Sequence, residues 1–135
     1  MRRVSDWFRQ SLRNLKSAEV NFEGELYEEV CFESHQAAEK ALKALLNSLG
    51  IERRGHSLTF LLREVSGRGI EVPNDVSECS LMLDKHYIPS RYPDVFDEGA
   101  PMDYYSRRDG EECLRCARRI VEWVKGLIRE YLQEV

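Results

Sequence analysis

Long apolar runs are missing from this chain of 135 residues. No segment approaches the roughly 20 consecutive apolar residues of a membrane-spanning helix. The first ten residues, MRRVSDWFRQ, are charged and amphipathic, and they lack the continuous apolar stretch of a secretory signal. We therefore expect a cytoplasmic protein with no membrane partner. The length indicates a single domain, residues 1–135, with a modest hydrophobic core.

Cysteine and histidine are scarce, and their spacing excludes the common metal sites. Only Cys113 and Cys116 form a CxxC pair among the four cysteines, and no second CxxC or HxxxH motif accompanies it. None of the three histidines follows a glutamate by three residues, as di-metal helical bundles require. We therefore expect no metal and no cofactor. Disulfides are rare in reducing compartments, and a spacing of three fits one helix face, so the pair is interpreted as small core residues.

A strong positive charge is also missing. The formal net charge is −4, whereas proteins that bind polyanions over their whole surface are basic. The charge is uneven, however, because residues 1–20 hold five basic and two acidic residues, and residues 21–34 hold five glutamates and no basic residue. Any nucleic-acid site is therefore expected to be a local patch.

Apolar and polar residues do not alternate with the period of two that is typical of β-strands, and helical spacing takes its place. The first predicted helix ends before Gly24 and carries one apolar stripe: Val4, Phe8, Leu12, Leu15, Ala18 and Phe22. Further helices are predicted over residues 25–49, 57–67, 74 to before Pro89, and 107–134. The second has a wide apolar face, which indicates a central helix or one that also meets a second subunit. Three long and two short helices with mostly short links predict an all-α, antiparallel up-and-down bundle.

One segment, HYIPSRYPDVFDEGAPMDYY at residues 86–105, departs from this helical pattern. It holds three of the four prolines and four of the six tyrosines around a lone Arg91. A stiff loop of this kind would present Arg91 to a phosphate, with Tyr87 or Tyr92 stacked on a base. The alternative interpretation is structural, with Arg91 paired to a carboxylate such as Glu39 so that the loop is fastened across the bundle. Acidic residues follow Arg91 and would repel a phosphate that lay near them.

Three motifs occur in order along the chain: HQAAEKALKALL at 35–46, RGHSLTFLL at 54–62 and YIPSRYPD at 87–94. Their order and spacing resemble the prokaryotic HEPN domain, above all its small stand-alone form, which is often found beside a minimal nucleotidyltransferase. The resemblance covers nearly the whole chain. It implies a helical bundle that usually dimerises and binds nucleotides or RNA. For many members it implies toxin activity as a metal-independent ribonuclease that the nucleotidyltransferase restrains.

The ribonuclease signature of that family, an arginine followed after four to six residues by a histidine, is missing here. No arginine stands at the required distance before His35, His56 or His86. The standard nuclease mechanism is therefore not carried over to this chain. What matches the family is the pattern Tyr-x-x-x-Arg-Tyr-Pro, formed by residues 87–93.

Three hypotheses follow. The first is a nucleotide- or RNA-binding homodimer that acts with a nucleotidyltransferase in a toxin–antitoxin-type module and binds its ligand through Arg91, Tyr87, Tyr92, His86 and His56. The second is a metal-independent ribonuclease that uses an atypical pair, His86 and Arg91. The third is a non-enzymatic bundle that binds other proteins and no ligand.

The polar residues of the second predicted helix are assigned lesser roles. His35 is expected to pack in the core or in an interface. Lys40 and Lys43 are expected to point to solvent, which is favoured, or to a shared dimer groove.

Overall fold

The structure, a computed structural model, describes residues 3–132 and is built from five α-helices. They are α1 (Val4–Glu23), α2 (Tyr27–Ser48), α3 (Leu58–Gly67), α4 (Asn74–Asp84) and α5 (Arg107–Leu127). Three short 3₁₀ turns follow α4 or α5, at Pro93–Val95, Pro101–Asp103 and Arg129–Tyr131. Within residues 3–132 there is no strand, so the prediction of an all-α bundle is confirmed. None of these helices is both long and apolar enough to cross a membrane.

Helix α2 lies at the centre of the bundle. It packs against α1, α5, α3 and α4, and its buried face includes Leu42, Leu45 and Leu46. The small side chains of Ala37, Ala41 and their neighbours allow these helices to approach closely, as the wide apolar face of the sequence predicts. Helices of the same chain therefore cover this wide face.

Local signals place several helix ends where the sequence predicts them. The Ser57 hydroxyl accepts a hydrogen bond from the backbone N–H of Phe60 and caps α3. Ser106 and Asp109 form a reciprocal capping box at the start of α5. Gly50 follows α2 with φ of 79°, a conformation that suits glycine because it has no Cβ.

The end of the last helix was predicted too far along the chain. Helix α5 ends at Leu127, whereas periodicity extended it to residue 134, and residues 133–135 lie outside the described part. Ile128 leaves the helical conformation and buries its side chain completely in the core. The Tyr131 hydroxyl then donates to the carbonyl of Ser48, 3.3 Å away, which holds the final turn against the end of α2.

The cysteines are paired, and the prediction of unpaired core residues is wrong. Cys31 of α2 is bonded to Cys113, and Cys79 of α4 is bonded to Cys116, with 5.1 Å between the Cα atoms of each pair. All four side chains are buried, as expected. The CxxC spacing places Cys113 and Cys116 on the inward face of α5, where each meets a cysteine of a neighbouring helix. The prediction rested on an assumed reducing compartment, in which disulfides are rare.

The proline-rich segment after α4 folds mostly on itself. The rings of Phe96 and Tyr104 stack with centroids 4.1 Å apart, and the Tyr104 hydroxyl donates to the Glu98 carbonyl at 2.7 Å. The start of the segment instead turns toward α2 and contributes Tyr87 and Arg91 to one surface of the bundle. The stiff loop therefore positions two side chains of this surface.

Candidate functional site

A row of aromatic rings lies where α2, the start of α3 and the residues after α4 meet. Tyr87 stacks between Phe32, at a centroid distance of 6.1 Å, and His56, at 5.3 Å. The ring of His35 lies 4.7 Å from Tyr87 and is fully buried. Phe32 and Tyr87 are partly exposed, so one side of the row is open to solvent. Flat, partly exposed rings of this kind offer stacking surfaces for planar ligands.

Arg91 stands at the Phe32 end of the row. Its guanidinium carbon lies 3.9 Å from the centroid of the Phe32 ring, which is a cation–π contact. Its nearest acid is Glu29, with 3.6 Å between Nη1 and Oε1, and both side chains are partly exposed. Arg91 thus pairs with a carboxylate of α2, as the structural interpretation expected, but the partner is Glu29 and not Glu39, which is occupied elsewhere. An exposed ion pair contributes little to stability, so Arg91 can exchange Glu29 for an anionic ligand at low cost.

A buried carboxylate lies below the other end of the row. Glu39 is only 3% exposed, and its Oε2 accepts a hydrogen bond from Lys43 Nζ at 2.9 Å. His56 Nδ1 lies 3.1 Å from both carboxylate oxygens and donates to them. Lys43 is buried as well, so the expectation that it points to solvent is wrong. Burial of this acid is tolerated because a lysine and a histidine both hydrogen-bond it.

The contact with Glu39 also sets the chemistry of His56. Because Nδ1 donates to the carboxylate, Nε2 is left as the free nitrogen of the ring, and the side chain is 57% exposed. A carboxylate that holds one nitrogen of a histidine fixes the tautomer and the ring orientation for proton transfer at the other nitrogen. The Glu39–His56 pair therefore has the arrangement of a general base that faces solvent.

Asp84 ties the end of α4 to the start of α3 beneath the row. Its carboxylate accepts hydrogen bonds from the backbone N–H groups of Leu58 and Thr59, at 2.9 and 3.0 Å, and from the buried His35 ring at 3.1 Å. Burial raises the pKa of this carboxyl, but the hydrogen bonds from His35, Thr59 and Leu58 outweigh it and lower the pKa to about 2. Asp84 is therefore an ionised anchor that positions the turn carrying His56.

The remaining sequence candidates, His86 and Tyr92, are not members of the stack. His86 Nδ1 is 2.8 Å from the Tyr105 hydroxyl, and burial lowers the pKa of His86. Burial likewise raises the pKa of Tyr105 to about 12. Tyr92 is exposed. Of the five proposed ligand-binding residues, the structure places Arg91, Tyr87 and His56 along the row and turns His86 toward Tyr105. Burial raises the pKa of Tyr87, and the exposed Tyr92 lies near enough to Tyr87 to add to this rise.

Comparison with known proteins places this chain in a family. The family described as the HEPN domain matches residues 4–127. The chain belongs to the HEPN domain family. The sequence is 27% identical over 133 residues to the Methanocaldococcus jannaschii protein named "Putative toxin MJ1304", a match that covers 92% of this chain and 87% of that protein.

Solved structures agree with this assignment. The crystal structure of TT1696 from Thermus thermophilus matches with a TM-score of 0.89 and 38% identity, over 93% of this HEPN chain and 98% of the other. ST0689, an archaeal HEPN homologue, is 51% identical, with a TM-score of 0.80 and coverage of 95% and 99%. A HEPN domain protein from Thermotoga maritima is 31% identical, with a TM-score of 0.75 and coverage of 92% and 98%. The bundle of this HEPN domain is thus shared along nearly its whole length.

From the sequence we did not predict that a row of polar residues on one face of α2 forms part of the site. Phe32, His35, Glu39 and Lys43 are spaced by three, four and four residues, which places them on one face of α2. Three of these four are polar residues within a helix that is buried over most of its length. Polar groups at positions that helical periodicity predicts to be buried need partners, and this was the signal that could have identified the site.

Proposed function

We propose that this toxin-like HEPN protein binds nucleotides or RNA at the row formed by Phe32, Tyr87 and His56. The observation that carries the proposal is the partly exposed stack itself, with the Arg91 guanidinium at one end. Aromatic side chains stack on bases of any sequence, and arginine pairs with phosphate oxygens through two parallel hydrogen bonds. One nucleotide can use both kinds of contact at this surface.

A basic surface beside the row favours RNA over a single nucleotide. Two adjoining grooves share Arg3 and Trp7 and together present six basic side chains against two acidic ones: Arg3, Arg9, Arg13, Arg53, Arg54 and Lys43 against Asp6 and Glu52. Lys43 also hydrogen-bonds Glu39, which in turn holds His56, so this surface adjoins the aromatic row. Cationic grooves next to stacking rings are typical of proteins that bind single-stranded nucleic acid.

The test is binding of a short fluorescein-labelled single-stranded RNA, followed by fluorescence anisotropy at several salt concentrations. Tyr87→Ala removes a stacking ring and is expected to weaken binding by about 1–3 kcal/mol, whereas Tyr87→Phe keeps the ring and the affinity. Arg91→Ala is expected to weaken binding and to reduce the salt dependence by about one phosphate contact. Because Arg91 pairs only at the surface, its loss is expected to leave the melting temperature almost unchanged.

Arg107 supplies the matched control for Arg91. It also lies over a phenylalanine, 4.8 Å from the Phe22 centroid, and pairs with Glu111 at 3.6 Å, but it belongs to a different surface. Arg107→Ala is expected to leave RNA affinity nearly unchanged. Equal losses of RNA affinity in the Arg91 and Arg107 variants would show that the effect comes from overall charge, and would refute the site. No RNA or nucleotide binding by the wild type would favour the third hypothesis, a bundle that binds only proteins.

The Glu39–His56 pair favours RNA cleavage as a second candidate function. His56 Nε2 can take the proton of an RNA 2′-hydroxyl as that oxygen attacks the neighbouring phosphate, and a metal is not required for this step. The bond from phosphorus to the 5′-oxygen then breaks, the leaving 5′-oxygen takes a proton from the protonated His56 ring or from water, and the products are a 2′,3′-cyclic phosphate and a 5′-hydroxyl. The pair suggested by sequence used His86 instead, but that ring is engaged with Tyr105. Cleavage in EDTA that His56→Ala abolishes and His86→Ala preserves would support His56. The reverse pattern would restore the sequence-based pair.

We also propose that the protein forms a homodimer and acts with a minimal nucleotidyltransferase in a toxin–antitoxin-type module in the cytoplasm. The support is the family resemblance and the toxin designation of the M. jannaschii relative. Light scattering of the purified protein tests the dimer. Co-expression with a nucleotidyltransferase encoded beside the gene tests the partner, with copurification and relief of growth inhibition as the expected results.

A further inference from the structure

A cluster of potential metal ligands lies away from the aromatic row. It is formed by one residue of α2, one of α5, and His86, which stands two residues after the end of α4. The sulfur atoms of Cys31 and Cys113 and a ring nitrogen of His86 all lie within 4.8 Å of one another. The two cysteines are fully buried, and His86 is half-buried. We propose that this cluster binds one thiophilic metal ion, with Zn²⁺ as its representative, when the Cys31–Cys113 disulfide is reduced.

The donor set suits such an ion. Two thiolates and one imidazole are ligands that Zn²⁺ prefers, and a water molecule can complete the tetrahedron. At Zn–S distances of about 2.3 Å, two sulfurs of a tetrahedral site lie roughly 3.8 Å apart, a separation that opening of the disulfide provides. The CxxC motif thus contributes one ligand, and the fold supplies the second cysteine and the histidine.

The surroundings of His86 resemble those of a metal ligand. The Tyr105 hydroxyl is 2.8 Å from His86 Nδ1, and we assign Nδ1 to this hydrogen bond and Nε2 to the ion. Histidines that bind metals usually make such an outer hydrogen bond, which fixes the orientation of the ring. Both buried cysteines are held by long helices, so the ligands start from rigid positions.

Metal binding takes two steps: reduction of the disulfide and exchange of the thiol protons for the ion. A dithiol reductant transfers two electrons and two protons to the Cys31–Cys113 bond, the S–S bond breaks, and the reductant becomes a disulfide. Zn²⁺ then replaces the two thiol protons, which are released to solvent, and accepts the lone pair of neutral His86. The metal-bound and disulfide-bonded forms therefore exclude each other.

The second disulfide is an internal control. Cys79 and Cys116 have the same Cα separation of 5.1 Å, but within residues 3–132 no third ligand lies comparably close to that pair. The double variant Cys79→Ser/Cys116→Ser, when reduced, is therefore expected to bind metal as the wild type does. The double variant Cys31→Ser/Cys113→Ser is expected to bind none.

The experiment titrates Co²⁺ and then Zn²⁺ into reduced, chelator-treated protein without oxygen, with oxidised protein in parallel. We expect one equivalent of Co²⁺ with thiolate charge-transfer absorption in the reduced wild type, displacement by Zn²⁺, and no such absorption in the oxidised form. His86→Ala, at a half-exposed position that should preserve folding, is expected to weaken binding by at least about tenfold. Absence of absorption in the reduced wild type, equal binding by the oxidised form, or unchanged affinity in His86→Ala would overturn the proposal.

Discussion

The carboxylate of Asp84 is the most sharply testable part of the fold around the site. It accepts the backbone N–H groups of Leu58 and Thr59, which begin α3, and it is the partner of the fully buried His35 ring. Asp84→Ala removes all of these acceptors in one step. We expect a large loss of stability at neutral pH, because a helix start and a buried ring lose their partner together.

The magnitude follows from the two kinds of contact. Loss of a side-chain cap at the start of a helix costs about 0.5–2 kcal/mol. A buried donor such as the His35 ring N–H that is left without an acceptor costs about 1–3 kcal/mol. We therefore expect Asp84→Ala to lower the free energy of unfolding by about 2–4 kcal/mol, or the melting temperature by roughly 10 °C.

The contribution of Asp84 to the free energy of unfolding is expected to fall as the pH falls. The pKa of Asp84 is lowered from 3.8 to about 2 in the folded state, so its ionised form stabilises the fold above pH 3.8 and this contribution is lost as the pH falls toward 2. The difference corresponds to at most about 2.4 kcal/mol. Since the side chain is 22% exposed, screening by solvent reduces this to about 1–2 kcal/mol. The difference in stability between wild type and Asp84→Ala should therefore shrink by about 1–2 kcal/mol as the pH falls from about 4 toward 2.

Urea denaturation monitored by circular dichroism at pH 7 and at several values between 4 and 2 measures both effects. Asp75→Ala is the matched control, because Asp75 lies on the same helix but pairs with Arg119 at the surface. We expect only a small change in that variant. Ordinary surface substitutions change the free energy of unfolding by up to about 0.5 kcal/mol. A change of that size or smaller in Asp84→Ala would refute the proposed role of Asp84 in holding the start of α3.

Three further substitutions test the buried network and the position of α2. Glu39→Ala leaves the buried Lys43 charge unpaired and is expected to cost about 3–5 kcal/mol, whereas Glu39→Ala/Lys43→Ala should cost much less than the two single losses combined. Urea denaturation of the four proteins in this cycle gives the coupling, and additive losses would contradict the pairing. Leu42→Ala, at a fully buried position, is expected to cost about 2–5 kcal/mol in thermal or urea unfolding, and an unchanged protein would contradict a central α2.

The helices could be predicted from the sequence because their signals are local. An apolar residue every three or four positions requires only the geometry of one helix. Caps such as Ser57 and the Ser106–Asp109 box join residues that are three apart, and their hydrogen bonds follow once the helix begins there. Periodicity was least informative at the end of α5, because burial of Ile128 depends on where the end of α2 lies.

Part of the candidate site was also visible in the sequence. Tyr87, Arg91 and His56 were selected from an unusual segment and from family motifs, and the structure places all three along one row. Phe32 was not selected and Glu39 was named only as a partner of Arg91, since both stand within a helix whose apolar pattern dominates. Their importance comes from neighbours that are distant in the chain.

The sequence by itself determined the helical class, most helix boundaries and the stiff segment that carries Tyr87 and Arg91, because these depend on backbone geometry and on residues within a few positions of one another. Only the tertiary structure decided which groups become partners: Glu29 for Arg91, Glu39 for His56, and Cys31 for Cys113. Partners that are 17 to 82 residues apart in the chain, as these are, depend on how the helices pack. Many arrangements share the same periodicity, and close packing of the core selects one of them.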